Sequence, residues 1–364
     1  MSKQKKSGGS TNSIRRELER LDRDLVKLLS DRTRAAQRMA KARQSDGLPP
    51  YDALEEQETF RRIAEQNKGP LDADSLRLIV RDILGTARTL VKPVRVGYLG
   101  PKYSYSHLAA IDRFGDTPDL TPHATIKAVF EALHFSQIDY GLVPLENSTD
   151  GRIVDTLDMF ARLPTKITGE VEIKIHHHLL GKCNRSEVVE VYSKPQALSQ
   201  CRDWLAKNLP SAKAIEMTST AIAAQIAADK PGAAAVASIE AGLHYGLNVI
   251  DANIEDNKNN ITRFAVIGGP ETKRTGKDKT ALMLEIPHKP GALADAMLVF
   301  KRGRLNLTWI ESFPMSGSRN EYLFFVEFEG YAGDSKAKNA LNALRCKTVR
   351  LEVLGSYARS EPKE

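Results

Sequence analysis

Residues 94–110 have the sequence VRVGYLGPKYSYSHLAA, in which a short apolar strand leads into hydroxyl residues and then into a helical pattern. Similar short apolar runs alternate with helical stretches up to residue 268, for example YGLVPLE at 140–146 and AAAVAS at 233–238. Such alternation predicts α/β architecture, in which helices cover the faces of a sheet. We therefore expect an α/β domain over residues 93–268.

The succession of strand end, hydroxyl residues and helix start is predicted three times in this domain. A helix N-terminus offers unpaired N–H groups and the positive end of the helix dipole, and Ser or Thr adds further donors. N-capping alone explains any single case, but three helix starts that converge on a cleft would bind carboxylates. The residues concerned are Ser104 and Ser106, then Glu146, Asn147, Ser148 and Thr149, and finally Thr218, Ser219 and Thr220.

Further along the same domain, Thr262 and Arg263 supply a hydroxyl donor and a fixed cation side by side. Neighbouring side chains on a strand face opposite ways, so one of the two is expected to enter the cleft. His176 and His178 would share a strand face and could ligate zinc, but no third ligand is identifiable nearby, so no metal site is predicted.

Towards the N-terminus the pattern changes to long helices. Apolar residues alternate in steps of four and three along residues 13–44, which is heptad spacing and predicts a helix that packs along other helices or a second chain. Two shorter helices are expected at 52–67 and 72–91, with Asp72 as the N-cap of the second. Residues 1–12 are polar and are expected to form a loose tail. The apolar stripe consists of Ile14, Leu18, Leu21, Leu25, Leu28, Arg32, Ala35 and Met39.

Arg32 interrupts that stripe, and Arg43 lies three helical turns further on, on the same face. Arg15 lies near the other end of the helix. These arginines are either solvated charges of a helical bundle or the cations of an anion-binding pocket inside it.

After residue 268 the polar, Gly- and Lys-rich sequence predicts a linker at 269–279. Six elements are expected over 280–358, in the order strand, helix, strand, strand, helix, strand. This βαββαβ order predicts a ferredoxin-like module, a layer of helices on an antiparallel sheet. The chain is thus predicted to be multidomain, with an all-α domain at 13–92 followed by two parts that contain both helices and strands.

Composition narrows the function classes. The formal charge of +7 comes mainly from residues 1–92, which carry 20 Lys and Arg against 14 Asp and Glu, and aromatic residues are only 6% of the chain, which argues against nucleic-acid binding. No apolar run approaches the roughly 20 residues of a membrane helix. Three widely spaced cysteines, Cys183, Cys201 and Cys346, favour a reducing compartment over a disulfide framework. We therefore expect a cytoplasmic protein without a secretion signal.

Four stretches of the α/β domain are similar to the signature stretches of prephenate dehydratases: GPKYSYSHLAA at 100–110, VPLENSTDG at 143–151, SKPQALSQC at 193–201 and NNITRF at 259–264. The resemblance implies two α/β subdomains around a cleft, and conversion of prephenate to phenylpyruvate, water and CO2 without a cofactor. It implies that Thr262 is the donor to the leaving ring hydroxyl and that Arg263 holds a substrate carboxylate or organises the cleft. The implied substrate-binding residues are Ser104, Ser106, Glu146, Asn147, Ser148, Ser193, Gln200 and Phe264.

The remaining parts of the chain also resemble known domains. HKPGALADAM at 288–297 and NLTWIESFP at 306–314 are similar to the phenylalanine-sensing motifs of ACT regulatory domains, which implies feedback by phenylalanine. Residues 13–92 resemble the helical chorismate mutase domain, which rearranges chorismate to prephenate. Together these similarities identify the chain as a member of the bifunctional chorismate mutase/prephenate dehydratase family, and we expect at least a homodimer. The resemblance implies Gly291, Ala292, Leu293, Glu311 and Ser312 as effector-binding residues, and Arg15, Arg32, Arg43, Asp52 and Glu56 as mutase-site residues.

Several positions depart from the family pattern. Because those in the mutase domain remove one cation, one hydroxyl and one amide donor from a dicarboxylate pocket and exchange a Lys for Arg, we expect its activity to be impaired and the domain to serve mainly dimerisation. Two alternatives to a phenylalanine-regulated prephenate dehydratase stay open, namely arogenate as the substrate and a non-catalytic ligand sensor. The departures are Tyr103 for Gly, Phe313 for Arg, Arg43 for Lys, Glu55 for Arg, Ala87 for Ser and Val91 for Gln.

Overall fold

The computed structural model describes residues 8–46, 53–90, 94–115, 119–149, 151–314, 322–360 and 362. The chain divides after residue 93 into two compact units. Within the described ranges, no helix combines the length and the apolar character that a membrane span requires.

The first unit contains three helices, α1 (Gly8–Ser45), α2 (Ala53–Gln66) and α3 (Ala73–Thr89). The predicted N-cap of α3 is confirmed, because Asp72 Oδ1 accepts a 2.8 Å hydrogen bond from the backbone N–H of Ser75. Helix α1 begins at Gly8, five residues before its predicted start.

The predicted apolar stripe of α1 stays largely uncovered in the single chain. Leu18, Leu25 and Leu28 keep 55%, 54% and 66% of their surface exposed. An amphipathic helix is stabilised mainly by burying its apolar face, so this stripe is a surface without a partner within the described part of the chain.

The second unit begins with a six-stranded sheet in the order β2-β1-β3-β11-β5, with the short β4 paired to β3. Strands β1, β2 and β3 are parallel, whereas β11 runs antiparallel between β3 and β5. Helices α4, α5 and α6 belong to this subdomain. The elements are β1 (Arg95–Leu99), α4 (Tyr105–Phe114), β2 (Asp119–His123), α5 (Ile126–His134), β3 (Tyr140–Asn147), β4 (Gly151–Arg152), α6 (Val154–Arg162), β5 (Ile167–Lys174) and β11 (Ile261–Gly268).

The second subdomain is a five-stranded sheet in the order β10-β6-β9-β7-β8. Ala-rich α9 packs on Ala-rich β9, which brings helix and sheet close together. The elements are β6 (His178–Gly181), β7 (Glu190–Ser193), α7 (Pro195–Gln200), α8 (Arg202–Asn208), β8 (Lys213–Glu216), α9 (Thr220–Asp229), β9 (Ala233–Ala237), α10 (Ile239–His244) and β10 (Asn248–Asp251).

The chain crosses between these two sheets twice, at 175–177 and at 252–260, which we call the hinge segments. The two hinge segments are hydrogen-bonded to each other. The Ile175 N–H donates to the Asn260 carbonyl and the Ile254 N–H donates to the His177 carbonyl, both at 2.8 Å. The domain therefore consists of two α/β subdomains joined by a paired double crossing.

The C-terminal module has the six predicted elements in the predicted order. Its strands form an antiparallel sheet ordered β13-β14-β12-β15. Strand β12 begins at Asp278, two residues before the predicted start of the module. The elements are β12 (Asp278–Glu285), α11 (Ala292–Gly303), β13 (Leu307–Pro314), β14 (Tyr322–Glu329), α12 (Ser335–Arg345) and β15 (Arg350–Ala358).

Strand β12 of this C-terminal sheet is buried on both faces. Leu282 and Leu284 of β12 pack with helices α11 and α12, whereas Met283 packs with Phe160 and Ile167 of the first subdomain. Since successive side chains of a strand face opposite ways, one strand contributes to two cores. The module is thus packed against the sheet that carries Thr262.

Candidate active site

Thr262 lies near the start of β11, opposite Asn147 at the end of β3. Its neighbour Arg263 pairs with Glu146 in the same register. Because successive strand residues face opposite sides, Thr262 and Arg263 project to different faces of the sheet, as expected. Thr262 and Asn147 are each 9% exposed, so the pair is shielded from solvent.

Thr262 ends a chain of side-chain hydrogen bonds that we call the amide relay, formed by Thr262, Asn147, Asn260 and Gln200. Asn147 Nδ2 donates to Thr262 Oγ1 at 2.8 Å and to Asn260 Oδ1 at 2.9 Å. Asn260 Nδ2 in turn donates to Gln200 Oε1 at 2.8 Å. Since Gln200 ends α7 of the second subdomain, the relay joins both subdomains across the hinge.

The direction of these hydrogen bonds decides what Thr262 can do. An amide hydrogen of Asn147 occupies a lone pair of Thr262 Oγ1, so the hydroxyl hydrogen points away from Asn147. A hydroxyl that accepts one hydrogen bond is polarised and becomes a stronger donor in a second one. The hydroxyl hydrogen of Thr262 is therefore available to a partner on the side away from Asn147.

Two of the three predicted helix starts are confirmed. Ser104 caps α4 by accepting from the His107 N–H at 3.4 Å, and Ser219 caps α9 by accepting from the Ile222 N–H at 3.1 Å. Both capped helices follow the carboxyl end of a strand. The structure therefore places two positively polarised helix ends in the α/β domain.

The third predicted helix start is wrong. After Asn147 the chain turns back as β4, and α6 begins only at Val154, without a side-chain cap. The cause is an Asx turn, in which the Thr149 N–H donates to Asn147 Oδ1 at 2.9 Å. Ser148 Oγ closes the turn by accepting from the Ile261 N–H at 2.9 Å. This turn holds Asn147 against Thr262.

Two residues that the resemblance assigned to substrate binding have structural roles. Ser193 is completely buried and its Oγ donates to the Val236 carbonyl at 2.6 Å, which ties β7 to β9. Phe264 is 1% exposed and lies in the apolar core of the first sheet with Tyr98. The contacts of both side chains are thus with the protein core, and their part in substrate binding stays a prediction. Ser106 lies buried in the first turn of α4.

Arg263 faces away from Thr262, into a buried group of charges against the C-terminal sheet. Its Nη1 donates to Glu327 at 2.5 Å and to Glu170 at 3.4 Å, and its Nη2 donates to Glu146 at 3.0 Å. Protein carboxylates thus surround the Arg263 guanidinium, which favours the implied role in organising the cleft over the implied role in holding a substrate carboxylate. The carboxylate of Glu146 is one of these partners, since it accepts a hydrogen bond from Arg263.

We call Arg263, Lys279, Glu170 and Glu327 the charge cluster. Lys279 Nζ lies 3.0 Å from Glu170, so two cations face two carboxylates. Burial opposes the charge of Arg263, but Glu327 and the other surrounding groups outweigh it and raise the pKa of Arg263. The cluster joins β5 and β11 of the first subdomain to β12 and β14 of the module.

The three consecutive histidines have three different partners. His176 Nδ1 lies 2.8 Å from Glu255 Oε1, and His177 Nε2 lies 2.9 Å from Gln200 Oε1. His178 Nδ1 accepts from the Asn253 N–H at 3.3 Å. Across the ranges that the structure describes, no group of three or more His, Cys, Asp or Glu is placed to hold a metal ion.

Sequence reasoning missed Asn260 and Glu255. Asn260 is 1% exposed and sits at the centre of the relay, while Glu255 is 5% exposed and pairs with the first histidine. The signal for Asn260 was its place in the Asn-rich run 257–260, immediately before the strand of Thr262. Glu255 carries no comparable signal.

In the helical unit, Arg15 is exposed, Arg32 is half-buried and Arg43 is buried. Burial lowers the pKa of Arg32, and its Nη1 is buried with no hydrogen-bond partner among the residues described. An orphaned buried donor costs about 1–3 kcal/mol, so this position suits an anionic ligand. Asp52 lies outside the described residues, and of Glu56 only the backbone is described.

In the C-terminal module, Gly291 precedes α11 with a φ of +81°, a conformation that favours glycine. Ala292 is buried, whereas Leu293 is 39% exposed and available for contact. Glu311, the residue before Ser312 on β13, accepts a 2.8 Å hydrogen bond from Arg152 of β4. Phe313 packs in the core shared with the first subdomain.

Two α/β subdomains with a shielded hydroxyl donor and amides at their junction form a site suited to a small polar ligand. Comparison with known protein families agrees with a domain that binds a small polar ligand. Residues 96–272 match the prephenate dehydratase family, and residues 14–92 match chorismate mutase type II.

Relatives cover almost the entire chain. It is 41% identical over 352 residues to the bifunctional chorismate mutase/prephenate dehydratase of Aquifex aeolicus, covering 95% of this chain and 97% of that protein. It is 36% identical over 355 residues to the protein of that name from Pseudomonas aeruginosa, covering 96% and 97%. The chain therefore belongs to the bifunctional chorismate mutase/prephenate dehydratase family.

Solved structures agree with the fold of the second unit. The prephenate dehydratase of Arthrobacter aurescens, in complex with L-Phe, has a TM-score of 0.68 and 31% identity, covering 73% of this chain and 90% of that chain. The prephenate dehydratase of Staphylococcus aureus has a TM-score of 0.63 and 29% identity, covering 72% and 100%.

Proposed function

We propose that the chain converts prephenate to phenylpyruvate, water and CO2 as part of phenylalanine biosynthesis in the cytoplasm, with its dehydratase domain at 93–268. The observation that supports this proposal is the hydrogen bond from Asn147 to Thr262, which leaves the Thr262 hydroxyl hydrogen available for donation away from Asn147. Prephenate offers a ring hydroxyl as the leaving group. A donor at that oxygen is what the reaction requires.

The chemistry explains why one hydroxyl donor has a large effect. The bond from the ring to its carboxylate breaks, and its electron pair enters the ring as the bond to the hydroxyl breaks. The products are an aromatic ring, CO2 and, once the departing oxygen takes a proton, water. Hydroxide is a poor leaving group, so a donor to that oxygen lowers the barrier, typically by about 10²–10⁴-fold. Because a Thr hydroxyl is a weak acid, Thr262 acts by hydrogen bonding rather than by prior proton transfer.

The substrate carboxylates have candidate partners on both subdomains. Helices α4 and α9 begin after Ser104 and Ser219, and their first turns present N–H groups and the positive end of the helix dipole. Gln200 reaches the same junction from α7. We assign the two carboxylates to these helix starts and the orientation of the ring to Asn147 and Gln200.

Thr262→Val tests the proposal, because valine keeps the shape of threonine and removes the hydroxyl. Conversion of prephenate is followed by the ultraviolet absorbance of the aromatic product. We expect kcat to fall at least about 10²-fold in Thr262→Val, whereas Thr262→Ser, the matched control, keeps the donor and most of the rate. A Thr262→Val enzyme with more than a tenth of the wild-type kcat would exclude this role for Thr262.

Two alternative functions can be separated by the same assay. Arogenate carries an amine in place of the side-chain ketone and undergoes the same elimination, so the purified protein is assayed with both substrates and the kcat/KM values are compared. A non-catalytic sensor has no use for a polarised hydroxyl donor at Thr262. It would bind prephenate in calorimetry and release no CO2.

We further propose that the C-terminal module, at about 278–358, is an ACT domain that binds phenylalanine and feeds back on the dehydratase. Gly291 leaves open space at the start of α11, and Leu293 can pack on the ring of phenylalanine. Glu311 is tied to Arg152 of β4, three residues after the turn that holds Asn147. Calorimetry with phenylalanine tests this, and absence of binding at millimolar concentration would overturn it.

For the helical unit we propose a mutase of reduced activity that serves mainly dimerisation. The uncovered stripe of α1 and the substitutions Glu55, Ala87 and Val91 support this, whereas the buried donor of Arg32 still suits the chorismate carboxylates. The relatives' bifunctional names give no support to a loss of activity. Chorismate consumption by the full chain with kcat above about 1 s⁻¹ would overturn the proposal, and light scattering that shows a monomer would overturn the dimer.

A further inference from the structure

His177 occupies the hinge segment between β5 and β6 and is 2% exposed. Its backbone is held from both sides, since its N–H donates to Glu255 Oε2 at 2.9 Å and its carbonyl accepts from the Ile254 N–H at 2.8 Å. Its ring reaches the amide relay through Nε2, which lies 2.9 Å from Gln200 Oε1. His177 is thus the side chain that extends the relay beyond Gln200.

The orientation of every amide in the relay follows from one backbone group. The Thr149 N–H can only donate, so the Asn147 atom it contacts at 2.9 Å is the carbonyl oxygen Oδ1. Nδ2 of Asn147 then faces Asn260 and must meet the carbonyl oxygen of Asn260. By the same argument Asn260 Nδ2 meets the oxygen of Gln200, so Oε1 of Gln200 faces His177.

This sequence of donors assigns the proton of His177. Because Gln200 Oε1 can only accept, Nε2 of His177 carries the hydrogen that joins them. Burial lowers the pKa of His177, which keeps the ring neutral, and Nδ1 is then unprotonated. Nδ1 can then accept from the Tyr105 hydroxyl at 3.3 Å, and this hydroxyl shares its hydrogen with the His176 carbonyl at 2.5 Å.

We propose that His177 is a positioning residue of the dehydratase site, which locks the amide relay in the one orientation that leaves Thr262 as a donor to substrate. Without a donor at His177, Gln200 can turn its NH2 group towards Asn260 and oppose that residue's own NH2 group. Asn260 then relaxes by turning its NH2 group towards Asn147, which disturbs the bond that directs Thr262. The proposal rests on the proposed function and adds to it a residue that need not touch the substrate.

A matched pair of variants tests whether the hydrogen on Nε2 of His177 is what matters for activity. In His177→Gln the side-chain NH2 group lies near the place of Nε2, whereas His177→Met fills a similar volume without a donor. We expect His177→Met to lower kcat about tenfold or more with a smaller change in KM, because the direction of the Thr262 hydroxyl matters most in the transition state. His177→Gln is expected to stay within about threefold of wild type. His178→Met, a change at the neighbouring buried histidine outside the relay, serves as the control and keeps the wild-type kcat.

The inference and the proposed function fail in different ways. A wild-type protein that does not dehydrate prephenate overturns the proposed function. A wild-type protein that is active, with His177→Met as active as His177→Gln, or with both variants equally impaired, overturns the positioning role and leaves the function intact. Nitrogen-15 spectroscopy of the imidazole adds a readout independent of activity. We expect a neutral ring protonated at Nε2, and a ring protonated at Nδ1 alone would overturn the assignment.

Discussion

Removing the Glu327 carboxylate is expected to destabilise the second unit strongly. Glu327 is 1% exposed and accepts from Arg263 at 2.5 Å and from the Tyr357 hydroxyl at 2.7 Å. Glu327→Ala leaves Glu170 as the one fully buried anion beside Arg263 and Lys279, since Glu146 and Glu172 are only partly buried. Breaking a buried ion pair by deleting one partner costs about 3–5 kcal/mol, a large part of a typical domain's stability.

A second glutamate of the same module provides the matched control. Glu311 also accepts a short bond from an arginine, at 2.8 Å from Arg152, but these side chains are 24% and 39% exposed. Exposed pairs of this kind contribute about 0–1 kcal/mol because water screens them. Glu311→Ala should therefore leave the free energy of unfolding nearly unchanged, although both variants remove the same number of atoms.

Tryptophan fluorescence during urea unfolding measures the free energy of unfolding of both variants with a reporter beside the charge cluster. Trp309 lies 5.0 Å from the Arg263 guanidinium, and Trp204, the other tryptophan of the chain, is replaced by Phe to leave one reporter. The double variant Glu327→Leu with Arg263→Met should lose less stability than the two single changes added together, since the fully buried charges that remain, Lys279 and Glu170, pair with each other. If Glu327→Ala and Glu311→Ala shift the Trp309 transition equally, the cluster does not hold the module to the dehydratase.

Two further predictions concern packing and pH. Gly355→Ala should prevent β15 from packing on β5, because a Cβ there would lie 1.9 Å from the Ile167 carbonyl oxygen. Gly303→Ala is the control and should be tolerated, because its Cβ would lie 3.4 Å from the nearest atom. Thermal unfolding compares the two variants, and equal melting temperatures would contradict the packing of β15 on β5. Burial lowers the pKa of His177 and His178 in the folded chain. Below about pH 6.5 the unfolded chain therefore binds protons at these histidines that the folded chain does not bind. The free energy of unfolding should then fall with falling pH by up to about 1.4 kcal/mol per pH unit for each histidine. Denaturation between pH 7 and pH 5 measures this slope, and His177→Gln should reduce it.

The elements that sequence reasoning predicted share one property, which is that the signal lies within a few residues of the element. Asp72 caps α3 because its side chain reaches three residues ahead. The six elements of the C-terminal module follow from periodicity alone. The turn after Asn147 was mistaken for a helix start because an Asn that bonds its own backbone and an Asn that caps a helix look alike in sequence.

The interactions that sequence reasoning missed join residues far apart in the chain. Glu327 is 64 residues from Arg263, and Gln200 is 60 residues from Asn260. Strand register and the packing of one sheet on another decide which of these residues meet. The local periodicity of the sequence predicts neither the register nor the packing. Ser193 and Phe264 show the converse, since both lie within signature stretches and yet serve the cores.

The adjacency of Thr262 and Arg263 follows from the geometry of β11. A strand presents alternate residues to opposite faces, so one residue faces the amide relay and the next faces the C-terminal sheet. A slip of one residue would exchange them, placing a guanidinium at the relay and a hydroxyl among buried carboxylates. The charge cluster opposes that slip, because Glu327 would lose Arg263 and Glu170 would keep Lys279 alone. Arg263 therefore helps to fix the register in which Asn147 meets Thr262.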